Sequence, residues 1–162
     1  MPAAQAVTTQ AMYMGMTHYM ELLATNQPWN LIIYMAIPVI LAETLTATEF
    51  FVIFGRLSEG PLRQFNRAVG IALGFYFLGI FLYLTTSVVP GITWRGYSDI
   101  IAVGSYLSGV IFLFGIALLE LGVIAKSADK EAKMKLHFLL LIGFLIVAHI
   151  AMIFGMLNPA LF

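Results

Sequence analysis

Residues 136–157 read LHFLLLIGFLIVAHIAMIFGML, and their only ionisable side chains are His137 and His149. A helix needs about 20 mainly apolar residues to cross a hydrocarbon core of about 30 Å. Three further stretches, at about 31–54, 68–89 and 100–125, meet the same requirement. Because lipid offers no partner for unpaired backbone groups, all four stretches must be helices. The sequence therefore predicts four transmembrane helices.

The composition excludes most other classes of protein. Of the 162 residues, 61% are hydrophobic and 10% are charged, against roughly 45–50% and about 25% in soluble domains. The net charge is zero, which argues against a nucleic-acid partner, and the absence of cysteine excludes thiolate chemistry. The sequence contains no phosphate-binding loop or dinucleotide fingerprint. We therefore expect a membrane protein in contact with the lipid bilayer, and at most a membrane redox component rather than an enzyme of soluble substrates.

The distribution of cationic residues predicts the orientation of the chain. Seven of the eight Lys and Arg residues fall in the two loops that follow the first and third spans, namely Arg56, Arg63, Arg67, Lys126, Lys130, Lys133 and Lys135. The positive-inside rule places loops 55–67 and 126–135 in the cytoplasm and both termini outside.

Short loops favour an all-α, up-down-up-down bundle of four transmembrane helices. Residues 31–162 form this domain, and residues 1–30 form an outer segment with a short interfacial helix. Gly70 and Gly74 form a GxxxG pattern, which indicates close helix packing.

Five ionisable residues lie inside the predicted spans, and each costs about 2.5–3.5 kcal/mol at the bilayer centre. At about 1.5 Å of rise per residue, they separate into two levels. The inner level holds Glu49, Glu120 and His137, with Arg67 at the same depth to offset their charge. The central level holds Glu43 and His149, from the first and fourth spans. Glu43 and Glu49 are six residues apart, about 120° from a shared face, so one site does not easily use both.

Three interpretations of these residues stay open. Carboxylates and imidazoles that project into a helical bundle are the ligands of transition-metal sites, although the usual Glu-x-x-His pair is missing here. A series of Glu and His residues can also relay protons. Finally, the groups can satisfy one another and fix the helix packing without a function of their own.

A haem b centre is a further option. His137 and His149 lie about 18 Å apart along one helix, so they cannot bind one iron together. His149 would need His18, Met35 or Met152 as the second axial ligand. Independently, Pro38 removes a helical hydrogen bond, and the carbonyl that it frees near Tyr34 predicts a polar cavity beside Glu43.

A methionine-rich stretch precedes the first span. Thioethers and imidazole favour Cu(I), and in an extended chain these side chains would align as an outer copper site. In a helix, the same methionines would form an apolar stripe for the membrane interface. The candidate copper ligands occupy every second position, at Met12, Met14, Met16, His18 and Met20.

Residues 16–54 contain the segments MTHYMELL and IPVILAET, and the later spans contain ALLELG, MKLH and AHIAMIFGM. With these motifs, nearly the whole chain resembles a bacterial family of small four-helix membrane proteins of unassigned function. The resemblance implies the fold and a bacterial inner membrane, but no activity.

These observations lead to one principal expectation and two alternatives. We expect an intramembrane Glu/His site that binds a metal ion or redox cofactor, within an electron-transport or metal-handling assembly. The first alternative is a proton-coupled transporter or channel, which with four helices per chain would have to be a homo-oligomer. The second is an accessory subunit of a membrane complex without chemistry of its own.

Overall fold

The computed structural model describes residues 15–55 and 59–161 and contains no β-strand within these ranges. A short helix, α1 (His18–Ala24), precedes four long ones. These are α2 (Trp29–Phe54), α3 (Pro61–Gly91), α4 (Tyr97–Glu120) and α5 (Lys130–Gly155). All four are long and apolar enough to cross a membrane, which confirms the all-helical membrane fold. A single 3-10 turn, Pro159–Leu161, follows them.

The helix ends differ from the predicted span ends for local reasons. Helix α4 stops at Glu120, five residues early, because Gly122 adopts a φ of +72°. The N–H groups of Gly122 and Val123 then donate to the last free carbonyls of α4. Helix α5 begins six residues early, since the Asp129 side chain caps it by accepting from the Ala132 N–H at 2.6 Å.

Consecutive long helices pack against one another, whereas α2 and α5 touch only weakly. The core between them is apolar and closed to solvent. Its most deeply buried members include Leu45, Leu73, Phe77, Leu113, Ile116 and Leu141.

The GxxxG pattern brings α3 and α4 together within this chain. A Cβ atom on Gly74 would lie 2.5 Å from the Leu113 carbonyl oxygen and 2.6 Å from the Ala117 Cβ. A Cβ on Gly70 would meet the Ile116 side chain at 3.0 Å. The missing side chains therefore allow the close helix contact.

The outer part of α2 is irregular, and tyrosines from α3 and α4 compensate for the irregularity. A π-helical turn, Ile32–Ala36, precedes Pro38, which has no N–H to donate to the Tyr34 carbonyl. The hydroxyl of Tyr106 donates to that carbonyl at 2.7 Å. The hydroxyl of Tyr76 donates to the Ile33 carbonyl at 3.0 Å.

Helix α1 is the short N-terminal helix that the sequence predicts, and it is fixed to the ends of α4 and α5. Thr17 caps it, and the buried Thr17 hydroxyl donates to the Gly155 carbonyl at 2.7 Å. The Tyr19 ring covers Gly155, where a Cβ would lie 2.6 Å from a ring carbon. The helix is therefore packed against the membrane domain rather than separate from it.

Candidate functional site

The predicted inner level exists as a contact cluster in the structure. Glu49 of α2, Glu120 at the end of α4 and His137 near the start of α5 meet in the interior, with 1%, 8% and 0% of their surface exposed. We call these three residues, with Arg63 of α3, the inner cluster. The packing of the four long helices thus brings together residues that lie far apart in the sequence.

Arg63 is the principal charge partner of Glu120. Its guanidinium donates to Glu120 Oε1 at 2.6 Å and to the Asn66 side chain at 2.8 Å. Asn66 in turn donates to the Thr48 hydroxyl at 3.0 Å. The predicted compensating residue, Arg67, is 3.9 Å from Glu120 Oε2 and has 55% of its side chain exposed. Arg63 therefore does most of what the sequence analysis assigned to Arg67.

His137 lies between the two carboxylates. Its Nδ1 is 3.3 Å from Glu49 Oε2 and 3.2 Å from Glu120 Oε1. Neither contact has hydrogen-bond geometry, so both ring nitrogens and both Glu49 oxygens lack a hydrogen-bond partner among the described residues. Buried polar atoms normally have partners. These unpartnered atoms are therefore the candidate binding atoms of the inner cluster.

The charges of the inner cluster do not balance without an added proton. It has two carboxylates and one guanidinium, because the Arg67 charge is largely solvated. A net negative charge in a dry interior is costly. One proton, held by His137 or by a carboxylate, makes the cluster neutral. The arrangement is therefore suited to acid–base chemistry.

The donor set also fits a divalent transition metal, since imidazole and carboxylate oxygen are suitable ligands. However, no group of three or more His, Asp or Glu side chains in residues 15–55 and 59–161 has the arrangement of a metal site. Arg63 already occupies Glu120 Oε1 at 2.6 Å. The geometry therefore favours the proton over the metal ion.

The predicted central pair, Glu43 and His149, lines one cavity but forms no ion pair with each other among the described contacts. The cavity has a volume of about 290 Å³ and is lined by residues of α1 to α5. We call it the outer groove. Its wall includes Tyr34, Pro38 and Glu43. A cavity is therefore present beside Glu43, but its lining is mainly apolar, and the Tyr34 carbonyl accepts from Tyr106 instead of being free.

The polar groups of the outer groove are exposed on the side of the helices. The surfaces of both Glu43 and His149 are exposed. The His149 Nδ1 lies 2.6 Å from the Leu145 carbonyl. Since a carbonyl only accepts, Nδ1 carries a proton, and in the neutral ring Nε2 is an acceptor. None of the inner-cluster residues lines the outer groove, so the two candidate sites are separate.

Around α1 and the start of α4, the structure contains a polar cluster that the sequence does not predict. Asp99 is fully buried and accepts from both the backbone N–H and the Nδ1 of His18, each at 2.6 Å. Arg95 donates to the Met16 carbonyl at 2.8 Å and forms an ion pair with Glu21. These contacts hold α1 in place.

The outer copper hypothesis requires an extended chain, but His18–Ala24 is helical. His18 and Met20 therefore point in different directions, and Asp99 binds the His18 Nδ1. Met16 precedes the helix, and Met12 and Met14 lie outside the described residues. The described part of this segment does not have the conformation that the copper site requires.

The haem ligands proposed from the sequence are distributed between two regions. His137 is enclosed in the inner cluster, whereas His149, Met35 and Met152 all line the outer groove. His18 is bound to Asp99. Of the proposed axial pairs, only His149 with a methionine shares a cavity.

Four apolar spans around a buried acid–base cluster define a small polytopic membrane protein. The chain belongs to DUF6803, a family of unknown function that matches residues 14–162. The predicted resemblance to a family of unassigned function is thereby confirmed. No curated protein and no solved structure matches the chain.

Proposed function

We propose that this membrane protein takes up and releases one proton at the inner cluster. The observation that carries the proposal is the position of His137, whose Nδ1 lies 3.2–3.3 Å from two carboxylates in a closed interior. A small change in this distance moves a proton between carboxylate and imidazole. An imidazole placed between two carboxylates is a group that can exchange a proton with either of them.

A proton would reach the cluster from one side. Glu120 and Arg63 lie at the end of the helices where the cationic loops begin, and their side chains are 5% and 19% exposed. The positive-inside rule favours the cytoplasmic side for this end of the helices, and we propose a bacterial inner membrane on the basis of the family resemblance. Towards the other side, an apolar layer of Leu45, Leu73, Leu113 and Leu141 separates the cluster from the outer groove. A single chain therefore binds a proton without conducting it, and conduction would need a homo-oligomer or another subunit.

The proposal is tested by following protonation directly in detergent-solubilised or reconstituted protein. Infrared difference spectra report the band of a protonated carboxyl group, and nitrogen NMR reports the charge and tautomer of labelled histidine. Over the pH range in which the protein stays folded, we expect one proton to bind per chain, seen either at the His137 ring or as the band of one protonated carboxyl group. Glu49→Gln should alter or remove this signal.

Glu43→Gln is the matched control, because Glu43 lies in the same helix outside the cluster. It should leave the His137 signal as in the unsubstituted protein. A histidine signal and a carboxyl band that stay constant over this pH range would overturn the proposal.

A transition-metal ion is the second candidate, and the unpartnered nitrogens of His137 and oxygens of Glu49 support it. Elemental analysis of the purified protein and titration with Zn²⁺ test this candidate. Bound metal that is lost in His137→Gln but kept in His149→Gln would establish it in place of the proton. An optical spectrum of the same sample tests for haem at His149 through the Soret band.

A further inference from the structure

We propose that the outer groove binds a lipophilic organic cation that enters from the bilayer. The groove has the chemistry that such a ligand requires, namely a carboxylate without a counter-ion, aromatic walls and an opening towards lipid. The occupant is a molecule with an apolar body and one positive charge, either a protonated amine or a quaternary ammonium. Nothing in this inference depends on the inner cluster.

The first step is the charge of Glu43. This carboxylate forms no ion pair or hydrogen bond with the residues that the structure describes, although it lies near the middle of the predicted span 31–54 and therefore near the centre of the bilayer. A charge at that depth costs about 2.5–3.5 kcal/mol. A cation in the groove would offset the cost, whereas an anion would add to it.

The second step is the nature of the walls. Tyr34, Phe77, Tyr106 and Phe144 all line the cavity together with Glu43. Aromatic faces attract cations through the ring quadrupole, most strongly where water is excluded. Aromatic rings around one carboxylate are therefore complementary to an ammonium group rather than to a neutral lipid tail.

The third step is size and access. A cavity of about 290 Å³ lies close to the lower end of the range for small-molecule pockets, about 300 Å³. Since α2 and α5 touch only weakly, we place the entry of the ligand between them, from the membrane. The apolar layer around Leu45 and Leu141 closes the groove below.

The test compares two molecules of the same shape that differ in charge. Phenyltrimethylammonium is the cationic probe, and tert-butylbenzene is its neutral counterpart. The protein is placed in nanodiscs of zwitterionic lipid, so that no anionic headgroup attracts the cation. Labelled methionine methyl groups report binding, because Met35 and Met152 line the groove whereas Met134 lies elsewhere.

We expect the cation to shift the Met35 and Met152 signals in a saturable manner and to leave Met134 unchanged. The neutral probe should bind at least about tenfold more weakly. Glu43→Gln should reduce the affinity for the cation to that of the neutral probe. Glu59→Gln, an exposed acid outside the spans, is the matched control and should bind as the unsubstituted protein does.

Three results would overturn the proposal: no shift at Met35 and Met152, equal binding of the two probes, or unchanged cation affinity in Glu43→Gln. An unchanged Met134 signal in Glu43→Gln verifies that the variant is folded. Because the methionine signals report only on the groove, a negative result would overturn the cation site and leave the proposed proton uptake at His137 unaffected.

Discussion

The Tyr106 hydroxyl donates to the backbone carbonyl of Tyr34 at 2.7 Å, which is the carbonyl that Pro38 leaves without its helical partner. A side chain of α4 thereby replaces a missing backbone hydrogen bond of α2. The hydrogen bond stabilises the protein more in lipid than it would in water, because no water molecule is present in the bilayer core to bind the carbonyl instead.

Tyr106→Phe should therefore destabilise the protein by about 1–3 kcal/mol, the cost of a buried group left without its partner. Unfolding in mixed detergent micelles measures the change. Tyr97→Phe, at a position with 74% exposure, should be nearly neutral. Pro38→Ala restores the N–H, so the Tyr106→Phe penalty should shrink in that background. An equal penalty in both backgrounds would show that the hydroxyl does not compensate for Pro38.

The two acids of the inner cluster should differ in their effect on stability. Glu120→Gln replaces the charged acceptor of the Arg63 guanidinium at 2.6 Å by a neutral amide oxygen and should cost about 1.5–3 kcal/mol. Glu49→Gln breaks no Lys or Arg ion pair among the described residues and should cost less than about 1.5 kcal/mol. The same micelle unfolding assay ranks them. If Glu49→Gln proves the more damaging, our assignment of Arg63 to Glu120 is wrong.

Two glycines of α3 provide a matched pair for the close packing of α3 on α4. Gly74→Ala places a methyl group 2.5 Å from the Leu113 carbonyl oxygen and should destabilise by about 1–3 kcal/mol. Gly79→Ala meets nothing within 4 Å and should stabilise by roughly 0.5–1 kcal/mol through its better helix propensity. The test is that the two substitutions change the free energy of unfolding in opposite directions. A similar loss of stability in both variants would contradict the close contact of α3 and α4 at Gly74.

The attachment of α1 should depend on Asp99. Asp99→Asn removes the charge that holds the backbone and ring of His18, so hydrogen exchange of the α1 amides should accelerate about tenfold or more. Glu131→Gln is the control, because its pair with Lys135 is more than 70% exposed on both sides. Unaltered protection of α1 in Asp99→Asn would show that the contacts of Thr17, Tyr19 and Arg95 hold the helix without the Asp99 charge.

The sequence was sufficient for the four spans, because bilayer thickness dictates the length of an apolar helix. It was insufficient for their ends. The start of α5 contains Lys130, Lys133 and Lys135. Their low hydropathy predicts a loop, but the Asp129 side chain caps a helix there. The end of α4 depends on the left-handed conformation of Gly122, which hydropathy does not register.

The inner cluster followed from depth alone, since Glu49, Glu120 and His137 lie at similar levels along their helices. Depth did not identify the arginine that pairs with Glu120, because the estimate uses Cα positions and leaves out the length of the side chain. Arg63 lies one turn outside Arg67, yet its long side chain extends inwards to Glu120. Asp99 gave no signal, because an acid at the outer end of a span has no apparent cost until burial is known.

Helix α2 makes polar contacts with the other helices near both of its ends, and the stretch between them packs through buried apolar residues such as Ala42. Near one end, Thr48 and Glu49 contact Asn66 and His137; near the other, the tyrosine hydroxyls hold the backbone at Ile33 and Tyr34. The intervening stretch borders the groove and contains Pro38, where a helix bends most readily. Thinning or curvature of the surrounding bilayer should therefore be accommodated by flexing of this stretch, which would widen or narrow the groove while both attachment points stay in register.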